Sequence, residues 1–129
     1  MEYRKLGRTG LDVGVIGLGT EHLEQKRETM EEVLGTAIEA GANYVDLLYD
    51  DPEGAPDFWE NLAPLLQAHR EGLVLAAHWG WGPGHNRDLD SAHRCFEQVL
   101  ARTGNGYAEV AIIATIDTET LGVNCMSSN

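Results

Sequence analysis

The chain has 129 residues, enough for one ordinary domain, and its 43% hydrophobic content fits a globular protein with a core rather than a disordered chain. With 21 acidic against 9 basic residues the net charge is −12, which argues against unspecific binding to DNA, RNA or an anionic membrane, since those contacts need Lys and Arg. Two cysteines, Cys95 and Cys125, make no disulfide framework and point to a reducing compartment; Met1 to Gly10 lacks the apolar region of a secretory signal, and Val110 to Ala114, the most continuous apolar stretch, is too short to span a bilayer.

In chain order, Tyr3 to Leu6 and Leu11 to Val15 flank Gly7-Arg8-Thr9-Gly10, a gap bounded by glycines that reads as a hairpin turn. Val15 to Thr20 reads as a first buried strand, with Gly17 and Gly19 permitting close packing. Thr29 followed by Glu32 has the form of a capping box. Met30, Val33, Leu34, Ala37 and Ile38 then recur at helical spacing up to a left-handed stop at Gly41. Asn43 to Leu48 is a short strand.

Asp57 and Glu60 form the second capping pattern, before Phe58, Trp59, Leu62, Leu65 and Leu66. Pro64 lies inside this run and is expected to kink or split it. Leu73 to Ala77 is a continuous apolar strand of the kind found in covered parallel sheets. His78 to Arg87 reads as a Gly- and Trp-rich loop. Asp90 is the expected cap of a third helix carrying Ala92, Cys95, Phe96, Val99 and Leu100 and ending at Gly104, with Cys95 as a buried structural thiol. Tyr107 to Ile116 is a fourth strand. Residues 118–129 form a tail expected to be poorly ordered. Alternating strands and helices mean an α/β fold with a parallel sheet and right-handed crossovers; length does not separate a doubly wound sheet from a barrel.

The opening block Met1 to Thr20, MEYRKLGRTGLDVGVIGLGT, closely resembles the start of aldo-keto reductases. Glu39 to Asp46, Leu73 to Gly80 and Leu100 to Tyr107 extend the resemblance to about Asp117. It implies a partial (β/α)8 TIM barrel over residues 1–117: an N-terminal hairpin, about four parallel strands and three helices. A complete barrel needs ~250 residues. The implied chemistry is NAD(P)H-dependent carbonyl reduction by an Asp, Tyr, Lys and His tetrad, in which hydride reaches carbon while a nearby acid neutralises the developing alkoxide. The implied cofactor is NADP(H), most of whose contacts in the family come from later strands, and the implied location is the cytoplasm.

Carried over position by position, the tetrad keeps one member. Asp46 holds the acid's place. The Tyr position holds Asp51, with Tyr49 nearby; the Lys position holds His78; the His position holds Ala114. The candidate catalytic residues are therefore Asp46, Tyr49 and His78, with Tyr49 or His78 carrying the proton and Asp46 orienting it. An oxidoreductase fragment with little or no activity alone is expected; the alternative is a non-catalytic binding or assembly module built from a half barrel. The expected partners are a small carbonyl substrate and a second copy of the chain at open barrel edges, with neither nucleic acid nor membrane.

Residues at the C-terminal ends of barrel strands share one rim. There the sequence gathers Glu21, His22, Asp46, Tyr49, Asp50, Asp51, His78, Trp79, Trp81 and His85. Three readings are open: an altered pocket walled by tryptophans, solvated loops, or a divalent metal held by Asp46, Asp51 and His78, for which no ligand spacing argues. Gly14, Gly17 and Gly19 are not a dinucleotide fingerprint. His69 and His93, among charged helical neighbours, are expected to face solvent.

Overall fold

A computed structural model describes residues 1–47, 55–79, 89–104 and 106–113. Tyr3–Lys5 (β1) and Asp12–Gly14 (β2) pair antiparallel, as the glycine-bounded gap predicts. Gly7 and Gly10 in the connecting turn take positive φ values of 54° and 83°, a region that glycine enters without a Cβ clash. A second sheet holds Leu18–Gly19 (β3), Tyr44–Leu47 (β4), Val74–Trp79 (β5) and Val110–Ile113 (β6), all parallel and in the order of the sequence. The helices Arg27–Glu39 (α1), Pro56–His69 (α2) and Leu89–Thr103 (α3) alternate with these strands.

One core joins the sheet and all three helices. It contains Met30 and Leu34 of α1, Phe58, Trp59, Leu62 and Leu66 of α2, and Ala92, Cys95 and Val99 of α3. The sheet contributes Val45, Leu47, Leu75, Ala77 and Trp79, which alternate along β4 and β5 and therefore share one face. Phe58 and Trp59 meet edge to face, with ring centroids 5.4 Å apart. A doubly wound sheet carries helices on both faces and reverses its strand order. Consecutive order with every helix on one side is instead a sector of a barrel wall. Among the described residues no helix is long and apolar enough to cross a membrane.

Several local expectations need correction. The first parallel strand is only Leu18–Gly19, and Val15 and Ile16 are exposed, because the ladder with β4 engages only Leu18 and Gly19. Gly17 does allow close packing: a Cβ there would stand 3.1 Å from the Tyr44 ring. α1 starts at Arg27, after Lys26, with no side-chain cap, so Thr29 lies inside the first turn and its hydroxyl donates to Glu24 instead (3.1 Å). α2 likewise has no side-chain cap; Pro56 opens it with a φ already suited to a helix, leaving Asp57 as an acidic residue in the first turn. α2 also runs unbroken through Pro64. That residue is exposed, so the bond it cannot make is lost on the solvent side, while Leu62, Ala63 and Leu66 hold the buried side.

β5 continues to Trp79, so His78 and Trp79 belong to the strand and not to a loop. Asp90 lies within α3 rather than before it. The stops at Gly41 and Gly104 stand, with φ of 89° and 81°. Cys95 is buried and His69 and His93 are exposed, as expected. Cys125, Ala114 to Ile116 and the tail lie outside the described residues.

The exposed cluster just before α1 gives a pH prediction. Hydrogen bonds from Lys26 and then Thr29 hold the Glu24 carboxyl below its ordinary range, and Glu24 holds the Lys26 ammonium above its own. A carboxyl depressed in the folded chain adds stability above the unfolded pKa, and that contribution disappears as pH falls through the folded one. Lys26→Ala is expected to raise the midpoint of Glu24 in a carboxyl NMR titration; an unmoved midpoint would show that Lys26 is not the cause.

Candidate functional site

The sheet face opposite the helices carries two of the candidate residues, Asp46 and His78. Strand side chains alternate, and β4 pairs with β5 so that Asp46 lies beside Ala76. His78, two residues further along β5, therefore points to the same side as Asp46. The two side chains meet there, His78 Nε2 lying 2.5 Å from Asp46 Oδ1. The imidazole is 11% exposed and the carboxylate 37%, so the pair has a mostly covered member and a member open to an incoming molecule. The contact is an ion pair by distance but not an aligned hydrogen bond. The second ring nitrogen, Nδ1, is also buried and has no partner among the described residues. An imidazole nitrogen can donate or accept a proton, and here one of the two faces the Asp46 carboxylate.

The neighbours hold this arrangement. The backbone N–H and the hydroxyl of Thr20 both donate to the carbonyl oxygen of Asp46, at 3.2 and 2.7 Å. Cys95 Sγ lies 3.8 Å from the carbonyl oxygen of His78. Gly19, in register with Asp46, leaves open space where a Cβ would stand. Tyr44, two residues before Asp46 on the same face, has its phenol pushed above its ordinary value by burial and then by the Asp46 charge. That makes it a weaker acid.

Of the three predicted residues, the structure brings Asp46 and His78 together. Tyr49 lies outside the described residues, as do Asp50, Asp51, Trp81, His85 and Ala114. Trp79 does not wall this face, because it occupies the alternate strand position and is buried among the helices. Glu21 and His22 follow β3 and meet at 3.8 Å with His22 almost wholly exposed, which suits solvated loop residues. Among the described residues no group of three or more His, Cys, Asp or Glu could hold a metal ion.

Sequence reasoning missed two features. Thr20 and Tyr44 are one: the period of two from Asp46 already places Tyr44 on its face. The other is Arg70, 3% exposed, whose guanidinium donates to the carbonyl oxygens of Leu73 and Tyr107 and to both oxygens of Glu109, at 3.0 and 3.1 Å. The sequence carries no local mark for it, since Glu109 lies 39 positions away. A groove of about 810 Å3 adjoins it at the opposite ends of the strands, lined by Tyr3, Gly41, Asn43, Gln67, Arg70 and Tyr107. Its size does not make it the site. The Tyr3 hydroxyl is bound to Gly41, Asn43 to Gly14 and Asp12, and Gln67 to Arg102, so these polar groups are committed to the fold.

No family model matches the chain. Over 88 residues, 65% of its length, it is 34% identical to an uncharacterized oxidoreductase, YqkF, of Bacillus subtilis (strain 168), and the match spans 28% of that protein. Its fold is similar to that of the aldo-keto reductase AKR11C1 from Bacillus halodurans in its holo form, with a TM-score of 0.75 and 21% identity, over 93% of this chain and 43% of the reductase. The chain thus spans less than half of each relative. Its sequence is similar to that of one oxidoreductase over part of its length, and its fold is similar to part of an aldo-keto reductase barrel.

Proposed function

We propose that the chain is an aldo-keto-reductase-like oxidoreductase segment whose proton-handling group is the Asp46–His78 pair, with little carbonyl reduction on its own. The contact between His78 and Asp46 carries this reading, because it sets an imidazole where the family resemblance implies a lysine. His78 would hold a proton at Nε2 against the Asp46 carboxylate and release it to a developing alkoxide. Tyr49 is the second candidate donor, and the substrate class is a small carbonyl compound.

The proposed cofactor is NADP(H), which would supply the hydride. The described residues fit it only in part. Gly19 leaves space beside Asp46, but no Lys or Arg stands on β3, β4, β5 or β6 to meet a phosphate. Tight nucleotide binding by these residues alone is therefore not expected. The proposed location is the cytoplasm, which the small number of cysteines in the sequence suits.

The test is NADPH binding by fluorescence together with NADPH-dependent aldehyde reduction. Turnover is expected roughly a thousandfold or more below that of an intact tetrad, since losing members of a catalytic unit costs about that much. Combined Asp46→Asn and His78→Gln should abolish the remainder. Turnover at ordinary enzyme rates, or a residual rate untouched by both substitutions, would reject the proposal.

A second reading has its own support. Val15 and Ile16 beside β3 and Ile113 at the end of β6 are exposed apolar residues at the two outer strands. An assembly module that takes a second copy at these edges would sediment as a dimer in analytical ultracentrifugation, and a stable monomer would count against it.

A further inference from the structure

The geometry points to Thr20 as a positioning residue that fixes the orientation of Asp46 toward His78. This rests on the reading of Asp46 and His78 as the working pair. Thr20 is 1% exposed and follows directly on β3. Its N–H bond to the Asp46 carbonyl continues the parallel ladder, as any residue's would. The hydroxyl bond to the same oxygen, at 2.7 Å, is specific to the side chain. A carbonyl oxygen with both lone pairs occupied has its peptide plane held in place. That plane begins at Asp46 itself, so fixing it restricts the direction in which the Asp46 side chain leaves the strand. The partner strand shows a weaker counterpart in the contact of Cys95 Sγ with the His78 carbonyl. Each member of the pair is therefore held through its own backbone by a side chain from another part of the chain, the residue after β3 on one side and α3 on the other.

A Thr hydroxyl could merely satisfy itself on the nearest carbonyl, in which case its loss would weaken β3 without disturbing the pair. The two cases separate in the ring 15N chemical shifts of His78, measured at one pH in the parent chain, T20V, T20S and D46N. T20V keeps the shape of threonine and removes the donor; T20S restores the donor. The positioning role predicts that T20V displaces the His78 signals in the direction of D46N while T20S stays with the parent. T20V signals at the parent position, with D46N displaced, would overturn the inference and leave the pair intact. No displacement in D46N would instead remove the pair, and the inference with it. Should T20V fail to fold, T20A and T20S carry the same comparison: displacement in T20A alone supports the role, and equal positions in both overturn it.

Discussion

Replacing Arg70 by alanine is expected to destabilise the chain by about 3–5 kcal/mol, the usual cost of removing one partner from a buried ion pair. Arg70 is 3% exposed, and the Glu109 side chain 15%. The guanidinium ties the turn after α2 to β6 through the Tyr107 carbonyl and Glu109, and its charge sits 4.3 Å above the Tyr107 ring. Glu109 in turn accepts the backbone N–H of Leu75 at 2.8 Å. Without Arg70 this carboxylate would remain largely buried with no cation, and β6 would lose its main tie to the α2 turn. A domain of ordinary stability holds only about 5–15 kcal/mol in total. The loss should therefore appear as a large fall in the urea midpoint. Replacing both residues by apolar ones of similar volume should cost much less than the two single losses combined, because the uncompensated charge disappears. A midpoint unchanged in Arg70→Ala would show that the pair contributes nothing.

Trp59→Ala is expected to cost a further about 3–5 kcal/mol if made in the parent chain, as large-to-small core substitutions of aromatic residues do. Trp59 is fully buried on α2, packs edge to face with Phe58 and belongs to the core that joins the helices to the sheet. Its indole Nε1 is nevertheless buried with no hydrogen-bond partner among the described residues. An unmet buried donor is itself unfavourable. Trp59→Phe would keep most of the aromatic packing and remove that donor, so its cost should be far smaller than that of alanine. Thermal and urea unfolding of the two variants tests this directly. Equal losses in Trp59→Phe and Trp59→Ala would mean that the indole nitrogen and the full ring size matter more than apolar burial.

Much of this architecture was legible in the residues. The glycine-bounded hairpin, the helical stripes ending at Gly41 and Gly104, and the apolar run through Leu75 each carry a local signal that the fold obeys. Helix starts were less legible, because Thr29 and Asp57 fit a capping pattern equally well from inside the first turn. Pro64 does not split the helix: the rule against proline concerns one missing donor, and burial of Leu62 and Leu66 outweighs it. At the site, resemblance marked Asp46 and His78, but their contact depends on how β4 lies beside β5, which neither strand encodes alone. Arg70 and Glu109 are a purely tertiary pairing and left no periodic trace.

The alignment of β4 with β5 has one more implication. Because strand side chains alternate, His78 meets Asp46 only while Ala76 stays level with it. Removing a single residue from the Arg70–Gly72 turn would shift β5 by one place, rotate the imidazole into the oily layer under the helices and bring a tryptophan or alanine round to the acid. The meeting of acid and base is thus written as a count of residues between two strands, and a length change could abolish it without altering either side chain.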